Sequence, residues 1–291
     1  MSMDAFAPDT AGTPRVLVFD SGVGGLTVFS ELRRARPDAR FVYVADDAGF
    51  PYGAMDADVL LARVVDVIAG LIGQHAPDIV VIACNTASTL VLPALRARFS
   101  IPFVGTVPAI KPAAEQTLTG EVSVLATPGT VARVYTHDLI RKFADSCNVH
   151  LVGSTRLAGF AELELAGTPV DDAVLRDEIA PVFIERDGAR TDMVVLACTH
   201  YPLLQARLDR LAPWPVTWID PAPAIGRRMV QLIGEAPSGA REAGPARALF
   251  TSGREPPVAL ARALQARGLL VDGGEGGLHA PEIRVSDVTG V

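Results

Sequence analysis

Two cysteines stand at matched places in two near-identical segments. The first segment is DIVVIACNTAS, Asp78 to Ser88, and the second is DMVVLACTHYP, Asp192 to Pro202. Aligned without gaps, they share Asp, both Val, Ala and Cys, and the other differences before the cysteine are apolar swaps. A short apolar run between a charge and a polar turn reads as a fully buried strand of a parallel sheet. Cys84 and Cys198 therefore fall at strand carboxyl ends, where open α/β sheets bind ligands. Two equivalent thiols on two equivalent halves can face one ligand from opposite sides. That arrangement suits removing a proton from one face of a carbon and returning one to the other. A lone buried cysteine is more often a small hydrophobe. Here each thiol lies just past the apolar run, beside Asn85-Thr86 or Thr199-His200. A helix starting there favours a thiolate. Cys147, in KFADSCNVH, has no matched partner and reads as structural.

Acids and a histidine are available to serve such thiols. DSGVGG, Asp20 to Gly25, follows a strand pattern and opens a helix pattern. Its small residues suit an anion cradle of backbone N–H groups. It is neither G-x-G-x-x-G nor a Walker loop. A substrate carboxylate held at Ser21 and neighbouring amides is the expected ligand, not a nucleotide. Asp20 either assists Cys84 or serves as a helix N-cap. Glu162 and Glu164, with His200 beside Cys198, are the groups available to the second thiol, although glutamates two apart are usually solvated. His75, His137, His150 and His279 show no ligand spacing with the cysteines, so no metal is expected.

The elements that must position these residues repeat. VLVF (Val16 to Phe19), FVYVAD (Phe41 to Asp46) and the first cysteine run are strands in the first half. Leu26, Phe29 and Leu32 mark a helix after the first, which Pro37 ends. A long helix covers roughly residues 56 to 72. Pro93 either kinks the helix after Cys84 or starts another. FVGTVP (Phe103 to Pro108) reads as a further strand. VSVLAT (Val122 to Thr127), VHLVGS (Val149 to Ser154) and MVVLAC then follow the first three strands at offsets of 106, 108 and 114 residues. Order is kept and only loops differ. This is an internal duplication of a β-α-β-α-β unit, and helix-joined parallel strands imply an α/β sheet in each half. The expected fold is two pseudo-symmetric α/β domains, each a mainly parallel sheet flanked by helices. The first takes residues 1–108 and 217–291, the second 109–216, with VTWID, the next helix and ALFTSG returning to the first. Residues after about Val271 read as a loose tail.

Bulk properties narrow the class. Apolar residues make up 49% of the 291 and charged ones 20%, enough for large cores. A net charge of -7 argues against nucleic-acid binding. The start shows no signal-peptide pattern and no window reaches a membrane span. Three cysteines make no disulfide framework, so the expected compartment is the reducing cytoplasm.

DSGVGGLTV, PYG (Pro51 to Gly53), ACNTAS and ACTHYP occur in this order. In this the chain resembles the glutamate racemases of the aspartate/glutamate racemase superfamily, over about Val16 to Leu232. The resemblance implies a cofactor-independent conversion of L-glutamate to D-glutamate for peptidoglycan, at a site between two pseudo-symmetric α/β domains. It implies Cys84 and Cys198 as the two proton donor/acceptors. It implies Asp20-Ser21, Tyr52-Gly53, Asn85-Thr86 and Thr199-His200 as substrate contacts, and Glu162 as the second half's acid by spacing. The run Ser154 to Glu162 departs from the family by lacking its Cys-Pro and Val-Pro. Glutamate is the expected small-molecule partner, with no nucleic acid or membrane, and a homodimer is an open alternative to a monomer. Another member of the superfamily, such as an aspartate racemase or a one-cysteine decarboxylase, or a two-lobed amino-acid binder without chemistry, are the competing readings. The paired thiols disfavour the binder.

Overall fold

The computed structural model describes residues 12–272. The start of the chain and the tail read after Val271, His279 included, lie outside that range, apart from Asp272. The first half alternates strand and helix. β1 (Arg15–Asp20) leads to α1 (Leu26–Ala35), β2 (Arg40–Ala45) to α2 (Ala57–His75), and β3 (Ile79–Ile82) to α3 (Asn85–Arg98), before β4 (Phe103–Gly105). After α4 (Ile110–Gln116) the pattern restarts. β5 (Glu121–Ala126), α5 (Pro128–Val131), α6 (Val134–Phe143) and β6 (Asn148–Gly153) precede α7 (Leu157–Leu165) and α8 (Asp172–Ile179). A short antiparallel hairpin, β7 (Glu185–Arg186) and β8 (Ala189–Arg190), comes next. β9 (Met193–Ala197), α9 (Tyr201–Leu211) and β10 (Thr217–Ile219) end the second half, and α10 (Ala222–Ile233), β11 (Ala246–Phe250), α11 (Val258–Gln265) and β12 (Leu269–Val271) follow.

The strands form two parallel sheets, ordered β12-β11-β2-β1-β3-β4 and β10-β9-β5-β6. The duplication holds to the residue. Val16 pairs with Phe41 and Ile79, and its counterpart Val122 pairs with Val149 and Met193. These are the partners that the three sequence offsets require. β2-β1-β3-β4 and β6-β5-β9-β10 are thus equivalent four-strand units. One expectation is corrected here. Thr217–Ile219 does not return to the first sheet; it runs along β9, pairing Trp218 with Val194 as Phe103 pairs with Val80. The first sheet instead gains β11 and β12. A three-residue strand is too short to reveal its sheet by pattern.

Side-chain alternation builds a core on each face of a sheet. Val16 and Val18 face one core of the first sheet, and Leu17 and Phe19 the other. Both faces are covered by helices, so the strands read as unbroken apolar runs. α1 buries Leu26, Phe29 and Leu32 as expected, with Val28 beside them. α2 is N-capped by Asp56, which accepts from the amides of Asp58 and Val59. It buries Leu60, Val64, Ile68 and Leu71, whereas Val59 faces solvent. α3 runs unbroken past Pro93.

One buried charge cluster anchors the loop between β2 and α2. Asp46 ends β2 fully buried. Its carboxylate accepts from Arg63 Nε and Nη2, each at 2.6 Å, from Thr251 Oγ1 at 2.5 Å and from the Tyr52 hydroxyl. The guanidinium passes so close to Gly49 that a Cβ there would lie 2.4 Å from Nε. The loop is therefore clamped from α2 and from the end of β11. Replacing Arg63 with Met leaves Asp46 buried and uncompensated, which costs about 3–5 kcal/mol. Urea denaturation should show that loss, and Asp46→Asn added to Arg63→Met should recover part of it. A loss below about 1 kcal/mol would mean that the cluster contributes little to the fold.

Candidate active site

The carboxyl ends of the two sheets meet around one cavity of about 180 Å³. Both thiols line it, and both are nearly buried, Cys84 at 4% and Cys198 at 6% exposure. Ser21, Tyr52, Gly53, Asn85, Thr86, Thr199 and His200 line it too. The structure therefore brings together all the expected substrate contacts except Asp20. Asp20 and Glu162 lie behind the lining side chains. Among the described residues, no Lys or Arg lines the cavity. Among the described residues, no group of three or more His, Cys, Asp and Glu could hold a metal ion.

The loop after β1 departs from its expected role. Asp20 Oδ2 accepts from the Gly25 amide at 2.7 Å, and Glu162 Oε1 accepts from the Val23 amide at 2.8 Å. The cradle thus holds two of the chain's own carboxylates, which leaves Ser21 to face the cavity. The glycines serve close approach. A Cβ at Gly22 would lie 2.2 Å from Glu162 Oε1, and one at Gly24 2.4 Å from His200 Nδ1. Tyr43 secures the loop by donating to the Gly22 carbonyl at 2.8 Å.

Around Cys198 the expected chain forms. Its Sγ lies 3.8 Å from His200 Nδ1, and His200 Nε2 lies 2.7 Å from Glu162 Oε1. Phe50 packs on the imidazole with ring centroids 5.4 Å apart. Burial lowers the pKa of His200. Hydrogen bonds to Cys198 and Glu162, with the Cys198 and Asp20 charges, outweigh it and hold the pKa well above the usual 6.5. Glu164 is not in this chain; its Oε1 accepts from the Val170 amide.

Cys84 is placed differently. It precedes α3, and its Sγ is 3.7 Å from Ser21 Oγ. No hydrogen bond joins it to Asp20. Burial, then the Asp20 charge, pushes the thiol well above its ordinary range, against a hydrogen bond from the Ala87 amide. Asp20 reaches across to the second half, where Thr199 Oγ1 donates to its Oδ1 at 3.5 Å. Burial raises its pKa to about 6, against the lowering effect of His200.

Sequence reasoning missed Thr127, Ser154, Thr155, Phe50 and Pro128, which also line the cavity. The duplication carried a signal for two of them. Thr127 is the counterpart of Ser21, and Ser154 of Asp46. Thr127 also joins the halves, with its Oγ1 3.0 Å from Thr86 Oγ1. Gly53 fits because a Cβ there would meet Thr127 at 2.9 Å.

Comparison with known proteins shows the family. The Asp/Glu/Hydantoin racemase family model matches residues 27–228. The chain belongs to that family. It is 57% identical over 257 residues to the glutamate racemase of Mesorhizobium japonicum, covering 88% of this chain and 98% of that one. It is 62% identical over 219 residues to the glutamate racemase of Brucella anthropi, covering 75% and 79%. Among solved structures it resembles Escherichia coli glutamate racemase in complex with L-glutamate and the activator UDP-MurNAc-Ala. The TM-score is 0.81 at 41% identity, covering 89% of this chain and 97% of that one.

Asp20 gives a stability test. Unfolded, its carboxyl ionises near 3.8; folded, near 6. Between these values the folded state binds a proton that the unfolded state has released, so stability falls as pH rises through that window. Above pH 6 the full cost is present. Asp20→Asn should therefore gain about 1–3 kcal/mol over wild type at pH 8 and little at pH 4. An equal difference at both pH values in urea melts would show that Asp20 does not titrate as described.

Proposed function

We propose that this chain interconverts L-glutamate and D-glutamate by proton transfer between two thiols, without added cofactor. One observation carries the reading: Cys84 and Cys198, from equivalent positions in the two halves, line one cavity. The family and its glutamate-racemising relatives support glutamate as the substrate.

One thiol must start as base and the other as acid. The environments supply that difference. An imidazolium at His200, fixed through Nε2 by Glu162, presents Nδ1–H to a Cys198 thiolate. Cys84, buried beside Asp20, is held as the thiol. A thiolate at Cys198 takes the α-proton while Cys84 donates to the opposite face, and the roles reverse for the other enantiomer. A single base would tend to return the proton to its original face.

The α-proton is very weakly acidic, so donors must strengthen as charge moves onto the carboxylate. With no Lys or Arg among the described residues that line the cavity, and the His200 imidazolium engaged by Glu162 and Cys198, they are hydroxyls, amides and helix N-termini. Asn85 is 1% exposed, and its Nδ2 makes no hydrogen bond while its Oδ1 accepts from Thr106. A buried donor without a partner suits a substrate oxygen. Ser21, Thr86, Thr127 and Thr199 add hydroxyls. Three free cysteines and a reaction that needs reduced thiols support a cytoplasmic location. There the D-glutamate formed would supply peptidoglycan synthesis.

Cys84→Ser and Cys198→Ser should each lower racemisation at least about 10²-fold. Each should still exchange the α-proton of one enantiomer, read as solvent deuterium in that enantiomer alone. Polarimetry on L- and D-glutamate and both aspartates, after chelation and removal of pyridoxal phosphate, should show glutamate turnover. Normal racemisation by Cys84→Ser would overturn the two-thiol reading, and loss of wild-type activity on chelation would overturn the cofactor-free one.

A further inference from the structure

One wall of the cavity belongs to neither thiol's strand. Phe50, Pro51, Tyr52 and Gly53, in the loop between β2 and α2, line it. This loop reaches the surroundings of both thiols. Tyr52 is buried in the apolar cluster that holds Cys84, and Phe50 packs against the cluster that holds Cys198. Phe50 also meets the His200 ring, and Gly53 abuts Thr127 of the second half. Loop backbone is the softest part of a binding site, so a loop with this reach needs a firm anchor.

The anchor comes from a strand far along the sequence. The Thr251 amide donates to the Ala45 carbonyl at 3.0 Å, continuing the pairing of β11 with β2. Its hydroxyl donates to Asp46 Oδ1 at 2.5 Å and accepts from the Ala48 amide at 3.3 Å. A hydroxyl has one proton to give, and this one is committed to Asp46. Asp46 in turn accepts from the Tyr52 hydroxyl inside the wall. Ser252 repeats the arrangement one residue on. Its amide donates to Asp47 Oδ1 at 2.9 Å, and its hydroxyl donates to Asp47 Oδ2. Two successive carboxylates at the start of the loop are thus held by two successive hydroxyl residues at the end of β11. The second half has no such device. β6, the counterpart of β2, is the edge of its sheet among the described residues, so no strand lies beyond it.

We propose that Thr251 and Ser252 are positioning residues for the cavity loop, holding Phe50 and Tyr52 in the wall through Asp46 and Asp47. The proposal rests on the reading of this cavity as the glutamate site. Neither thiol lies on the loop, so losing an anchor should weaken substrate binding more than proton transfer.

The experiment uses the full chain with Thr251→Val, which nearly keeps the shape and removes the hydroxyl. A hydrogen bond to a buried charge is strong enough that KM for glutamate should rise about tenfold, with kcat within about twofold. Thr251→Ser should restore KM. A role in stability alone would lower the active fraction, and so kcat, and leave KM where it was. Iodoacetamide labelling without substrate, read by peptide mass spectrometry, is independent of turnover. Cys84 and Cys198 should label faster in Thr251→Val, and Cys147, which does not line the cavity, should not. An unchanged KM, or three thiols that all speed up or all stay the same, overturns the proposal. Should Thr251→Val fail to fold, Ser252→Ala carries the test with the same expected directions, and the same failures overturn it. Wild-type protein that does not turn over glutamate overturns the glutamate reading and leaves labelling to judge the loop. Wild-type turnover with Thr251→Val unchanged overturns this proposal alone.

Discussion

The site depends on docking Glu162 and the buried His200 of the second half against a loop of the first half that has no side chains at positions 22 and 24. Glu162 Oε1 meets the Val23 amide at 2.8 Å and His200 Nε2 at 2.7 Å. The half-buried carboxylate is thus paired on both sides, with the loop amide and with the imidazole. Docking of the halves and orientation of the imidazole are thus one interaction. The same contact ties Cys198, two residues before His200, to the glycine loop that precedes α1. Any side chain at Gly22 or Gly24 would push on Glu162 or His200 directly.

The duplication places the thiols alike and the substitutions around them make them differ. Asp20 has Ala126 as its counterpart, so only the first half carries an acid at the end of its first strand. Asp46 has Ser154 as its counterpart. The first anchors Tyr52 and Arg63, and the second engages Glu178. Equivalent backbone frames therefore hold unlike charge sets. Symmetry in the sheets gives the thiols matched positions on one cavity; asymmetry in the side chains gives them unlike partners.

Much of this was legible in the sequence. That the two sheets share one register follows from three offsets, because parallel strands buried on both faces leave apolar runs that align without ambiguity. Cys84, Cys198 and the pairs beside them were legible because they sit at fixed distances from those runs. β10 was not, since three residues carry no period. The Asp46 cluster was not either. It joins residues 17 and 205 apart in sequence, and nothing local in Arg63 or Thr251 marks them. The glycines of DSGVGG were legible as glycines but not in their reason. Gly22 and Gly24 make room for side chains 140 and 176 residues away, and the loop amides hold the chain's own carboxylates.

The two-thiol reading carries a constraint of its own. Mirror-image products fix the equilibrium constant at one, so unequal partners cannot favour either enantiomer at equilibrium. They can only divide the barriers unequally. After one turnover Cys198 holds the proton and Cys84 has lost one. To repeat the same direction, the free enzyme must move that proton back. Asp20 is suited to stand between the two states. It is fully buried, its charge raises the Cys84 thiol, and its other oxygen faces Thr199 beside Cys198. Its pKa of about 6 lies close enough to neutrality for either form to be reached. An acid at its ordinary 3.8 would stay ionised and hold Cys84 as a thiol in every cycle. On the two-thiol proposal, the burial that is costly to the fold also brings protonation of Asp20 within reach, and with it a release of Cys84 from the thiol state.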